Sequence, residues 1–97
     1  MTTRELLSGD ALTNAMAELD GWTIVDGKLH KEFTVSDFVE SFGFMASAAL
    51  CAERANHHPE WSNVYNRVSV ALSTHDVGGI TQFDMALAAD MDRLAGA

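Results

Sequence analysis

Hydrophobic positions near the start of the chain predict a short helix. Leu12, Met16 and Leu19 recur at near-helical spacing after Asp10, which is a candidate helix cap. Asp20-Gly21 then interrupts the pattern, because both residues favour turns. We therefore expect a short helix capped by Asp10 and ended at Asp20-Gly21.

The next run, WTIVDGKLHKEFTV, predicts a two-stranded hairpin. Its Asp-Gly pair, residues 26–27, suits a tight hairpin turn because both residues tolerate positive φ. Pairing about that turn sets Val25 opposite Lys28 and Thr23 opposite His30. We interpret His30 as a half-exposed sheet residue.

A long helix is predicted over SDFVESFGFMASAALCAERAN, residues 36–56. Ser36 is the predicted N-cap, with acidic side chains in the first turn. One apolar stripe consists of Phe38, Phe42, Met45, Ala49 and Ala52. Further apolar residues, including Cys51 as a small buried residue, extend well past that stripe. We expect one side of this helix to pack on the sheet and another on a second chain.

The last segment, GGITQFDMALAADMDRLAGA, predicts a closing helix that begins with a capping box from Thr81 to Asp84. Before it, residues 63–74 would make a strand of about 40 Å if they were one straight element. A turn at Asn66-Arg67 would instead fold them into a second hairpin. That register, continued outward, sets His58 opposite His75.

Composition limits the classes of function. The chain has 97 residues, which suits one domain over residues 1–97, and its single cysteine cannot form an internal disulfide. A net charge of −8 argues against direct contact with nucleic acid or an anionic membrane surface. No apolar run approaches the roughly 20 residues that span a bilayer, and no secretory signal pattern opens the sequence. We expect a cytoplasmic protein.

The second hairpin would gather three of the four histidines into one cluster: His57, His58 and His75. Neutral imidazole, with an ordinary pKa of about 6.5, can both give and take a proton near neutral pH. Glu53 lies four residues before His57 and could fix the tautomer of that ring. These residues are therefore candidates for acid–base catalysis.

Three other interpretations of the cluster stay open at this point. Three histidines with a carboxylate could bind zinc, although neither His-x-His nor His-x-x-x-His spacing occurs. The histidines could instead cap and pack secondary structure. Finally, Trp61, Tyr65 and Phe83 could be exposed anchors for a protein partner, although their more frequent role is in a core.

Several motifs, taken together and in order, resemble the pterin-4a-carbinolamine dehydratase family. These are AERANHHPEW, NVYNRVSVALSTHD and GGITQFD, with FGFM in the long helix and GW before the first strand. The resemblance extends over nearly the whole chain. It implies an α+β fold, in the order α-β-β-α-β-β-α, with a four-stranded antiparallel sheet and helices on one face. It also implies homodimers that join sheets, or homotetramers that pack their long helices.

The resemblance implies a reaction as well. The substrate would be a 4a-hydroxytetrahydropterin, which loses water to give a quinonoid dihydropterin for recycling, with no metal or cofactor. The matching catalytic positions are His57, His58, His75 and Glu53. The matching substrate-binding positions are Asn56, Ser73, Thr74, Asp76 and Trp61. Asp84 also matches a family aspartate, for which the capping box gives a sufficient structural role.

The family resemblance leaves a second function open. Relatives also act as protein-binding modules, either as dimerisation cofactors for a transcription factor or as assembly helpers. This chain also departs from common family residues at two places, with Asn56 where some members carry Asp and Phe83 where a basic residue is frequent.

Overall fold

The computed structural model describes residues 5–96. Residues 1–4, which belong to the segment judged to lack a signal pattern, and residue 97 lie outside this description. The elements, in chain order, are α1 (Gly9–Ala17), β1 (Thr23–Val25), β2 (Lys28–Thr34), α2 (Phe38–Ala55), β3 (Glu60–Val64), β4 (Arg67–Leu72), a 3₁₀ turn (His75–Val77) and α3 (Gln82–Gly96). The expected order α-β-β-α-β-β-α is confirmed.

The four strands form one antiparallel sheet in the order β1-β2-β4-β3, as expected. Alternate residues of the two central strands are buried, because successive side chains of a strand point to opposite faces. The buried face comprises Leu29 and Phe33 of β2 with Val68, Val70 and Leu72 of β4. Helices α2 and α3 cover that face, and Trp22, Phe33 and Phe44 form a cluster of aromatic rings within the core.

The first hairpin has the predicted register. Val25 pairs with Lys28 and Thr23 with His30. Asp26 and Gly27 both have positive φ, at 52° and 75°, which is why an Asp-Gly pair suits this turn. His30 is half-buried, and its Nε2 lies 3.2 Å from the hydroxyl of Ser69.

The second hairpin exists, but its predicted turn is wrong by one residue. Val64 pairs with Arg67, so the turn consists of Tyr65 and Asn66, and Tyr65 takes the left-handed conformation. The side chain of Asn63 donates to the carbonyls of Tyr65 (3.2 Å) and Arg67 (2.9 Å) and so holds this turn.

A long-range contact explains why Asn66 lies in the turn. It exchanges two hydrogen bonds with Val35, of 2.8 and 3.1 Å, which tie the turn to the end of β2. The predicted pairing of His58 with His75 is therefore also wrong, since the register, continued outward, sets His58 opposite Ser73. Each residue of β3 therefore pairs two positions earlier on β4 than predicted. Because this shift is an even number of residues, each side chain keeps its predicted face.

Two predicted helix caps are also wrong. Helix α1 starts after Ser8, and Asp10 lies in its first turn. Helix α2 starts after Asp37, whose carboxylate accepts the Glu40 backbone N–H at 2.8 Å, while Ser36 bonds the Glu40 side chain. Asp37 rather than Ser36 is the N-cap, because a capping side chain must lie within reach of the free N–H groups of the first turn.

Helix α2 has apolar residues on two sides, as predicted, and its buried side shares Ala52 with the stripe named from the sequence. The buried side consists of Ser41, Phe44, Ala48, Cys51 and Ala52. Phe38 and Phe42 are 50% and 59% exposed, and Ala49 is exposed too. Cys51 is buried and free, as predicted.

Candidate active site

The ends of α2 and β4 meet around one cavity. Helix α2 stops at Asn56, which is left-handed (φ 53°), and the next residues lead into β3. Strand β4 stops at Leu72, and the chain turns back between Thr74 and Gly79 through a backbone hydrogen bond of 2.7 Å. The cavity, of about 370 Å³, is lined by Asn56, His57, His58, Ser73, Thr74, His75 and Asp76.

His57 forms the deep wall of the cavity. Its ring is buried, and its Nε2 lies 2.5 Å from Oδ1 of the fully buried Asp84. Oδ2 of the same carboxylate accepts the Thr81 N–H and the Thr74 hydroxyl, each at 2.9 Å. Since Asp84 is an acceptor for all three groups, Nε2 of His57 carries the hydrogen and the lone pair lies on Nδ1.

The capping box explains how Asp84 comes to lie there. Thr81 precedes α3, its backbone N–H donates to Asp84, and its hydroxyl accepts the Phe83 N–H at 3.2 Å. The predicted capping box is thus present. Because a carboxylate has two oxygens, Asp84 caps α3 with one and holds His57 with the other.

His58 lies on the exposed side of the cavity. Its Nε2 is 2.8 Å from Oε1 of Glu53, in the last turns of α2. The expected partnership of Glu53 with His57 is therefore wrong. The left-handed Asn56 ends the helix before His57, so the i,i+4 row does not continue; His57 turns toward α3 instead.

His75 lies on the opposite wall, as the first residue of the 3₁₀ turn. Its ring is 78% exposed, and its Nε2 is 3.6 Å from Oε2 of Glu60, the first residue of β3. Oε1 of Glu60 binds Nζ of Lys28 at 2.7 Å. This hydrogen bond and the charge of Lys28 lower the pKa of the Glu60 carboxyl, with a smaller contribution from His75.

The three histidines share one arrangement. Each directs Nε2 at a carboxylate, and the carboxylates come from three different elements: Asp84 from α3, Glu53 from α2 and Glu60 from β3. A carboxylate on one ring nitrogen fixes the tautomer and orientation of an imidazole. The cavity therefore presents three oriented groups that can transfer protons.

The described residues contain neither a cluster of metal ligands nor a membrane-spanning helix. Among residues 5–96, no three His, Cys, Asp or Glu side chains converge in a way that could hold a metal ion. Within the same residues, no helix is long and apolar enough to cross a membrane.

Comparison with known proteins identifies the family. The sequence profile described as "Pterin 4 alpha carbinolamine dehydratase" matches residues 5–94. The chain belongs to this family. A relative in Solibacter usitatus, whose name provisionally assigns it pterin-4-alpha-carbinolamine dehydratase activity, is 55% identical over 98% of each chain. A Bradyrhizobium protein with the same provisional name is 52% identical over 94% of each.

Solved structures of pterin dehydratase relatives share the fold. A Brucella melitensis protein described as a "transcriptional coactivator/pterin dehydratase" superposes with a TM-score of 0.91 at 46% identity, covering 95% of this chain and 100% of its own. A pterin dehydratase-like protein described as a RuBisCO assembly factor superposes with a TM-score of 0.70, covering 80% of this chain and 93% of its own. At 22% identity, that second likeness concerns the fold alone.

The residues matched to pterin dehydratases lie mostly, but not all, at the cavity. Asn56, Ser73 and Asp76 line it, and Thr74 reaches it while bonding Asp84. Trp61 does not line it. Its position on β3 faces the core beside Val70, and its ring packs against the buried residues.

Two carboxylates at the site were not among the predicted site residues. Asp84 had been matched to a family aspartate but left out because the capping box gave it a sufficient role, and that match is the signal that could have added it. Glu60 follows directly after HHP, but its contact with His75 depends on the register of the second hairpin. Phe83 also packs near His57, with ring centroids 5.8 Å apart.

Proposed function

We propose that the protein is a dehydratase that removes water from a 4a-hydroxytetrahydropterin to give a quinonoid dihydropterin. The observation that carries the proposal is the convergence of His57, His58 and His75 on one cavity, each with Nε2 at a carboxylate. Family membership supports the substrate class.

The reaction needs one proton donor and one proton acceptor. The bond between C4a and the hydroxyl oxygen breaks, and that oxygen takes a proton and leaves as water. The proton on N5 passes to a base, and its electron pair forms the new double bond between N5 and C4a. Acid and base groups in the correct place typically contribute about 10²–10⁴-fold.

The arrangement of the site suits both proton transfers. The lone pair on Nδ1 leaves His57 able to accept a proton, whereas His58 and His75 lie nearer to solvent. In this proposal the three histidines with Glu53 supply the proton transfers. Asn56, Ser73, Thr74 and Asp76 bind the polar edge of the pterin, and Trp61 acts only through packing.

The proposal includes a cellular setting. The protein would act in the cytoplasm, recycling a tetrahydropterin after its use by a hydroxylase, and would do so as a homodimer or homotetramer. The exposed apolar side of α2 suits the second assembly, because Phe38, Val39, Phe42 and Leu50 leave an apolar surface in the single chain.

An assay of water loss tests the activity. Purified protein is expected to accelerate dehydration of a 4a-hydroxytetrahydropterin above its unassisted rate, followed by absorbance of the quinonoid product. The double substitution His58→Ala with His75→Ala is expected to abolish the acceleration. His30→Ala is the matched control, because His30 lies on the sheet beside Ser69 and outside the cavity.

A protein-binding role is the second candidate. The exposed apolar side of α2 favours it, as does the coactivator description of the Brucella relative. The double histidine variant separates the two functions. A binding module would still bind its partner in this variant, and neither the variant nor the wild type would accelerate dehydration. If intact protein shows no acceleration at all, the dehydratase proposal is wrong.

A further inference from the structure

Three side chains from three elements form a chain of contacts that ends at the cavity. Lys28 begins β2, Glu60 begins β3 and His75 begins the 3₁₀ turn. One Glu60 oxygen binds Lys28 at 2.7 Å, and the other lies 3.6 Å from His75. Glu60 therefore connects a cation on the sheet to an imidazole of the candidate active site.

Sheet geometry explains why Lys28 and Glu60 can meet although β4 separates their strands. Leu29 is buried on the core face, so its neighbour Lys28 projects from the opposite face. Glu60 projects from that same face, because it pairs with Ala71, the neighbour of buried Leu72. Strand β4 presents the small side chain of Ala71 there, and Ser73 follows just past the strand's end, so the two longer side chains reach across.

The surroundings of His75 contain several charged groups. A second cavity beside the first is lined by His75 and Ser73 together with Asp26, Lys28 and Glu60. On the side of the first cavity lie His58, with its partner Glu53, and the adjacent Asp76. Among the ion pairs of residues 5–96, His75 takes part in the one with Glu60.

Resting on the proposed function, we propose that Glu60 is a positioning residue for His75 and that Lys28 holds the Glu60 carboxylate in place. With Nε2–H directed at Glu60, the ring keeps one tautomer, and its lone pair lies on Nδ1. The 3.6 Å separation is that of an ion pair, and such contacts often shorten when substrate binds. The lowered pKa of Glu60 supports this arrangement, since the carboxyl then stays ionised.

Kinetics of single and double variants test the connection. Lys28 and Glu60 are partly exposed and His75 is exposed, so each of their contacts is expected to have only a modest effect on kcat. Glu60→Ala is expected to lower kcat by about fivefold with KM nearly unchanged, and Lys28→Ala by about twofold. The double variant is expected to lose about fivefold, rather than the roughly tenfold of two independent sites. Additive losses would overturn the role of Lys28.

Conservative variants separate positioning from charge. Glu60→Gln keeps an acceptor oxygen and is expected to recover most of the kcat lost in Glu60→Ala. Glu32→Ala is the matched control, because Glu32 is exposed on the same face of the sheet and lines neither cavity. Wild-type kcat in Glu60→Ala would overturn the proposal.

A spectroscopic measurement tests the proposal independently of turnover. At about pH 8, where free imidazole is neutral, the ring ¹⁵N shifts of His75 are expected to report hydrogen on Nε2. In Glu60→Ala they are expected to move toward the average of two tautomers. If the wild-type protein does not accelerate dehydration, the proposed reaction is wrong, but the ¹⁵N shifts still decide the role of Glu60. If the enzyme is active and the His75 shifts are the same in wild type and Glu60→Ala, the positioning proposal alone is wrong.

Discussion

His57 and Asp84, which are 27 positions apart in the chain, are joined by a buried hydrogen bond of 2.5 Å between Nε2 and Oδ1. The same carboxylate caps α3 through Thr81 and accepts the hydroxyl of Thr74 at the end of β4. One buried side chain therefore fixes the start of a helix, the end of a strand and the ring of a candidate catalytic histidine.

Replacing Asp84 is expected to reduce both activity and stability. In Asp84→Asn, the amide group brings donors to a place where the partners also donate, so at least one buried hydrogen bond is lost. We expect the free energy of unfolding to fall by about 1–3 kcal/mol in urea titrations. We expect kcat to fall at least about tenfold, which is less than the roughly 10²–10⁴-fold of a well-placed acid or base because the imidazole itself remains.

The control for Asp84 is Asp90→Asn on the same helix, where the carboxylate is partly exposed and, among the ion pairs of residues 5–96, takes part in the one with Arg93. Asp90→Asn should change neither the free energy of unfolding nor kcat appreciably. Activity is compared without denaturant, once circular dichroism has shown that both variants are folded. Wild-type kcat in a folded Asp84→Asn protein would contradict the orienting role.

Replacing Glu53 is expected to affect activity without affecting stability. Glu53 and His58 are both exposed, at 78% and 58% of the side chain, so their contact contributes at most about 1 kcal/mol. Glu53→Gln should therefore lower kcat by no more than about fivefold. Urea unfolding should be unchanged within error; a large stability loss would show that the pair has a structural role instead.

The Glu60 carboxyl is expected to make stability depend on pH in one direction. Lys28 lowers its pKa in the folded state below the ordinary 4.5, so ionised Glu60 favours folding above that value. This contribution is lost as the pH falls through the lowered folded-state pKa. We expect Glu60→Gln to be less stable than wild type at pH 7 and the difference to vanish in acid, as measured by urea midpoints.

The same experiment has an internal control. Salt screens exposed charges, so the difference at neutral pH should also shrink as ionic strength rises. Glu32→Gln, which changes an exposed carboxylate on the same face, should show no such dependence. A difference that grows toward low pH would contradict the assignment.

The exposed side of α2 is expected to mediate assembly. Phe42→Glu places a charge in the apolar surface, which should lower the molar mass measured by light scattering. Ala11→Glu, at an exposed position of α1, should leave the mass of the wild type unchanged. A monomeric wild-type protein would contradict the proposed assembly.

Local sequence signals were accurate where the deciding contacts are also local. The Asp26-Gly27 turn set the register of the first hairpin, because two residues with positive φ admit few alternatives. The capping box at Thr81 was likewise correct, since its two members lie three residues apart. The gathering of the histidines followed from the second fold-back of the chain.

Predictions that depended on distant contacts were less accurate. The turn of the second hairpin was misplaced because Asn66 bonds Val35, far earlier in the chain. The sequence did not indicate which apolar side of α2 meets the sheet, because Phe and Ala residues occupy both sides of the helix.

The sequence by itself determined the succession of helices and strands and the first register, because both depend on neighbouring backbone preferences. It also indicated which histidines meet, because a second hairpin brings the same residues together at either position of its turn. Only the tertiary structure decided which carboxylate each histidine meets. A left-handed Asn56 sends His57 to Asp84 and leaves Glu53 to His58, while the strand register brings Glu60 to His75. Those partnerships depend on directions of side chains in space, which spacing along the chain does not specify.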